Sequence, residues 1–116
     1  MKYLCLIYSD EKAMGGMSKG DLDALMGAYF AFTEDIKKSG HYRSGEALKP
    51  VQTATSVRVR NGKLSTTDGP FAETTEQLGG FYLIDAADLN DAIQIASRIP
   101  AAKTGTVEVR PVEVFE

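Results

Sequence analysis

The sequence holds one cysteine, one histidine and no tryptophan. Each scarcity excludes something. A lone Cys5 cannot close an internal disulfide, and its apolar neighbours mark it as a buried, inert thiol. One His, one Cys and scattered carboxylates show no metal-ligand spacing, so no metal site and no cofactor are expected. No apolar run approaches the ~20 residues of a membrane span. Positive charge is also short, with 13 Lys and Arg against 16 Asp and Glu and a net charge of -3. A general electrostatic grip on nucleic acid or on an anionic membrane is therefore not expected. The opening stretch from Tyr3 to Tyr8 is too short for a signal peptide and lacks a small-residue cleavage site. With the cysteine usage, it predicts a cytoplasmic protein. No Gly-rich phosphate loop and no Ser nucleophile motif is visible.

What remains is ordinary globular material. The chain has 116 residues, 43% of them hydrophobic, enough for one core in one domain over 1–116. Tyr3 to Tyr8 is apolar without alternation, the mark of a strand covered on both faces. Ser9 to Gly20 reads as a loop. Ser18 and Asp21 resemble a capping box. Leu22, Leu25, Met26, Tyr29, Phe32, Thr33 and Ile36 then follow helical spacing, and Gly40 is a natural stop. His41 to Leu48 predicts a short strand, with His41, Arg43 and Gly45 on one face and Tyr42, Ser44 and Glu46 on the other.

Thr55 to Arg60 alternates, Asn61-Gly62 is a preferred type I′ turn, and Lys63 to Thr67 returns as a hairpin. Phe71 to Gln77 suggests one helical turn. Gly79-Gly80 opens a second all-apolar strand, Phe81 to Ile84. Asp88 and Asp91 start another helix, with Leu89, Ala92, Ile93, Ala96 and Ile99 as its stripe and Pro100 as its end. The last strand runs from Gly105 to Phe115, with a bulge at Arg110-Pro111 and an edge position suited to proline.

Without the hairpin, this order is the split βαβ pattern of ferredoxin-like α+β folds, in which the first and third strands are central. Those are the two all-apolar strands. Two helices cover only one face of such a sheet. A second copy of the sheet is the simplest cover for the other face, which predicts a homodimer.

Several stretches resemble one family. Thr67-Asp68-Gly69-Pro70-Phe71-Ala72-Glu73-Thr74, then Glu76-Gln77-Leu78-Gly79-Gly80-Phe81-Tyr82, is similar to the signature of the DGPF-domain branch of the YCII-related family. Met1-Lys2-Tyr3, Ser44 to Leu48, Ile99 to Ala102 and Val107 to Val112 match the same family in order. The resemblance implies a dimeric α/β barrel. YCII-type relatives resemble muconolactone-isomerase-like proteins and carry a His–Asp pair in a pocket between helix and sheet. One branch of the family acts on chlorinated hydroxylated aromatics, and DGPF proteins are often encoded beside extracytoplasmic-function sigma factors. The family's His lies about three helical turns before the glycine that ends the first helix. Counting back from Gly40 lands on Tyr29, so this chain departs from the pattern there.

The candidate catalytic residues are Asp68, His41 and Tyr29. Asp68 stands at a break between strand and turn, as a general base or simply as a turn former. His41, the one side chain with an ordinary pKa near 6.5, is placed for acid–base work across from Asp68 or Glu46, or to meet the preceding helix dipole. Tyr29 lies on the helix stripe, as a hydrogen-bond donor in a pocket or as core. Glu46, Arg43, Phe71 and Glu73 are candidate ligand contacts. Arg58, Arg60 and Lys63 fit a solvated strand face. The expected function is a small-ligand pocket, with a cofactor-independent lyase or isomerase acting on a small hydroxylated or lactone-like molecule as one form. A non-catalytic sensing or sigma-factor-associated module is the other form.

Overall fold

The computed structural model describes residues 1–115. Strand β1 (Lys2–Ser9) leads into a short helix α1 (Glu11–Gly15) and the long helix α2 (Lys19–Lys38). Strand β2 (Tyr42–Ala47) follows, then the hairpin β3 (Thr55–Arg60) and β4 (Lys63–Asp68). Strand β5 (Gln77–Asp85), helix α3 (Leu89–Ala96) and strand β6 (Thr106–Pro111) complete the chain. The main sheet is antiparallel in the order β2-β5-β1-β6, which puts the two apolar strands in the centre. This mixed α+β arrangement is compatible with a ferredoxin-like fold.

Register decides which side chains meet the helices. Tyr3, Cys5 and Ile7 pair with Ile84, Tyr82 and Gly80, and this face is buried. Phe32 and Ile36 of α2 and Ala92, Ile95 and Ala96 of α3 pack on it, with Ile99 beside them. Ile36, Ile84 and Ile99 are fully buried, and each is worth roughly 1.5–3 kcal/mol of apolar transfer. The opposite face carries Leu4, Leu6, Phe81 and Leu83 at its centre, all half-buried, with no helix among the described residues upon them.

Capping follows the sequence closely. Ser18 Oγ accepts the N–H of Asp21 at 3.1 Å, and Asp88 Oδ1 accepts that of Asp91 at 2.8 Å. The Asn61-Gly62 turn has φ of 53° and 73°, the left-handed pair that a type I′ turn needs. The hairpin forms its own two-stranded sheet and projects from the main one. The projection raises the Cα radius of gyration to 16.2 Å, against roughly 13 Å for a compact chain of this length.

Five expectations are corrected. Residues 11–15 form α1 rather than loop, because Asp10 caps it by accepting the N–H of Lys12. Residues 71–76 hold no helix or strand and 77–85 extend as strand, so no helical turn forms at Phe71 to Gln77. The strand-face alternation of β2 breaks at Arg43. Tyr42 pairs with Ile84, whereas Ser44 pairs with Leu83 and Gly45 with Tyr82, so Tyr42 and Gly45 share the helix face. The stripe of α3 turns toward Ile95 and leaves Leu89 and Ile93 exposed. Finally, β6 stays in regular register with β1 through Pro111 and ends there, on the sheet edge, without a bulge.

Candidate functional site

The N-terminal half of α2 stands away from the sheet. Phe32 and Ile36 are buried, but Met26 is 67% exposed and Leu22 is also exposed. The gap is a cavity of about 580 Å³ between that half of α2 and the β2–β5 side of the sheet. Its walls come from Ile7, Leu25, Tyr29, Thr33, Tyr42 and Tyr82, with Met14, Met26, Leu48 and Pro50 among the more exposed lining residues.

Gly45 shapes the inner wall. A Cβ there would lie 2.9 Å from Cδ1 of Tyr82 and 3.0 Å from the Phe81 carbonyl oxygen. Only a glycine lets the Tyr82 ring lie against β2. The ring then meets Phe32 edge-on at 5.1 Å and Tyr42 edge-on at 6.4 Å between centroids. This aims the phenol at α2, where Tyr82 Oη and Thr33 Oγ1 are 2.7 Å apart. Thr33 Oγ1 also donates to the Tyr29 carbonyl oxygen at 2.9 Å. Burial pushes the Tyr82 phenol up, and the Thr33 hydroxyl partly offsets it. Burial pushes the Tyr29 phenol up too, partly offset by the backbone of Ala101. Both therefore stay protonated at neutral pH.

The predicted site residues fall in different places. Tyr29 lines the cavity. Glu46 contributes to the lining, but its pairing with Phe81 turns its side chain to the opposite sheet face. His41 lies beyond the end of α2, where Nε2 meets Asp91 Oδ2 at 3.0 Å and Nδ1 meets Ser39 Oγ at 2.7 Å. The Asp91 carboxyl is held below its usual range by the Ala87 N–H and then by His41. Arg43 donates to Asp85, which also binds the N-terminal ammonium at 3.0 Å. Those two cations lower the Asp85 carboxyl to about 2, the Arg43 hydrogen bond being the largest single cause.

Asp68 is exposed at the end of β4. The corner beside it is closed by the Gly69 N–H donating to the Ala54 carbonyl at 2.7 Å and by Ser56 Oγ donating to the Gly69 carbonyl. Phe71 is 82% exposed. Glu73 borders a shallow polar depression with Asp10, Lys12 and Gln77. Asp68, His41 and Tyr29 thus occupy separate surroundings in one chain. Thr33, Gly45 and Tyr82, which the sequence offered only as stripe or strand residues, build the cavity wall instead.

Cys5 is buried, which pushes its thiol up to about 11, so it is unreactive at neutral pH. Among the described residues, no group of three or more His, Cys, Asp or Glu is placed to hold a metal ion. Among the described residues no helix is long and apolar enough to cross a membrane.

Comparison with known proteins gives a family and no specific chemistry. An uncharacterized protein of Rhizobium meliloti (strain 1021) is 36% identical over 118 residues, covering 100% of this chain and 95% of the relative. The model of the YCII-related domain matches residues 1–116. The chain belongs to the YCII-related family.

Proposed function

We propose that this protein binds a small molecule in the cavity between α2 and the β2–β5 side of the sheet. The observation that carries the reading is the built wall: Gly45 yields its side-chain space to Tyr82, and Tyr82 and Thr33 meet as a polar pair beside apolar walls. Pockets of this size, mostly apolar with a few placed polar groups, are the common form of a small-molecule site. Within the family, the Asp68-Gly69-Pro70-Phe71 stretch supports placement in the DGPF branch.

Binding without chemistry is the form the geometry favours. An acid–base enzyme needs a proton acceptor within reach of its substrate. The cavity phenols are poor bases, the Glu11 carboxylate at the cavity has both oxygens engaged by the Val51 N–H, and His41 is bonded to Asp91 and Ser39 outside the lining. A sensing or regulatory module is the matching role. The lyase or isomerase reading, with Asp68 as base, requires Asp68 to reach the cavity from its exposed hairpin end.

The dimer is part of the same proposal. Leu4, Leu6, Phe81 and Leu83 form an apolar face that a second sheet would cover, as in a dimeric α/β barrel. The test of the binding reading is a thermal-shift screen of small aromatic compounds on the wild type and Ala47→Trp. Ala47 pairs with Gly80 on the helix face and lines the cavity, so Trp fills it. Compounds that stabilise the wild type and not the variant support the reading. Equal shifts on both proteins contradict it.

A further inference from the structure

The cavity also states which molecules it accepts, an inference that rests on the binding reading above. A hydroxyl has one proton to give. Either hydroxyl could donate in the contact with Tyr82, and the Thr33 Oγ1 proton is assigned to the Tyr29 carbonyl oxygen, which can only accept. The 2.7 Å contact between Thr33 Oγ1 and Tyr82 Oη is then closed by the Tyr82 proton. Both protons are committed, and what Tyr82 has left is an oxygen lone pair. A ligand group meeting that oxygen must donate.

Charge narrows the class further. None of the lining residues is Lys, Arg or His. Lys37 rests over the Tyr42 ring at 5.2 Å and pairs with Glu34 at 3.8 Å, outside the lining. The acidic side chain with helical placement at the cavity is Glu11, whose oxygens accept the Val51 N–H at 3.1 and 3.3 Å. A carboxylate ligand would lose its water against apolar walls and meet no cation.

We propose that the cavity selects an uncharged, largely apolar molecule that presents a hydrogen-bond donor to the Tyr82 oxygen, and that it rejects carboxylates. Aromatic alcohols and amines have this chemistry. Ethers and ketones of the same shape lack the donor.

The test uses matched probes. N-phenyl-1-naphthylamine and 1-anilinonaphthalene-8-sulfonate share one fluorescent scaffold and differ by a sulfonate. The neutral probe should bind, lose binding in Ala47→Trp, and outbind the sulfonate by at least about tenfold. Displacement of the neutral probe then compares 2-naphthol, 2-methoxynaphthalene and 2-naphthoate. The naphthol should compete about tenfold better than the ether, the worth of one sizeable hydrogen bond, and better still than the naphthoate.

Two variants assign the donor preference to its atoms. Tyr82→Phe should erase the difference between naphthol and ether. Thr33→Val keeps the shape of the wall and frees the Tyr82 proton, so the ether should gain on the naphthol. Binding at the cavity with no naphthol preference, or with the naphthoate favoured, overturns the inference and leaves the binding reading standing. A naphthol preference that survives Tyr82→Phe also overturns it. Binding of no probe, or binding unaffected by Ala47→Trp, overturns both.

Discussion

The Tyr82 ring lies directly over Gly45, closer than any side chain at that position would allow. The cavity wall depends on this contact. Gly45→Ala would force the ring away from β2 or the strand away from the ring. The expected cost is about 1–3 kcal/mol in unfolding free energy, the usual penalty for overpacking. Probe binding should weaken along with it. Denaturant unfolding and fluorescence titration of Gly45→Ala measure the two effects on one sample.

Asp68 allows a direct separation of binding from catalysis. Backbone and Ser56 bonds close its corner, and the carboxylate is exposed. Asp68→Asn and Asp68→Ala should each change stability by less than about 0.5 kcal/mol, as for a surface site. Cavity binding should change less than twofold in both. A large loss of binding or turnover in Asp68→Asn would restore Asp68 to the site and favour the enzyme reading.

The hairpin should behave as a separate unit. Replacing Asn61-Gly62 by Ala-Ala puts a Cβ on left-handed Gly62 and takes from left-handed Asn61 the amide that favours its conformation, with a left-handed alanine costing about 1–2 kcal/mol. The β3–β4 amides should then exchange faster with solvent. The amides of β1 and β5 should keep their protection. Loss of protection throughout the main sheet would show that the hairpin supports the core.

Acid should reveal the Asp85 cluster. Arg43 and the N-terminal ammonium lower the Asp85 carboxyl from 3.8 to about 2 in the folded chain. A depressed folded-state value means that the stabilisation is present above the unfolded value and drains as pH falls through the folded one. The wild type should therefore lose this part of its stability between about pH 4 and pH 2. Asp85→Asn should show a shallower loss over the same range. Parallel slopes for the two proteins, read from urea unfolding at stepped pH, would contradict the assignment.

Much of the fold was legible because its signals are local. Asn61-Gly62 names its own turn, Ser18 and Asp88 name helix starts, and the apolar runs of β1 and β5 name the sheet centre. The Arg43 irregularity was not legible. A strand's face alternation is read by counting, and one unpaired residue shifts the count. The cavity was legible only in part. Tyr29 and Thr33 stood on the helix stripe, but nothing near Leu22 and Met26 says that this half of α2 leaves the sheet. Titratable residues drew attention to Asp68 and His41, whereas the wall is made by a glycine and two hydroxyls. Their meaning exists only once β2, β5 and α2 are brought together.

The most direct measurement is amide chemical-shift mapping by NMR with N-phenyl-1-naphthylamine added to the assigned protein. The perturbed amides should cluster at Tyr29, Thr33, Gly45, Ala47 and Tyr82. Perturbations confined to the open sheet face at Leu4, Leu6 and Leu83, or to the hairpin, would contradict a ligand site between α2 and the sheet.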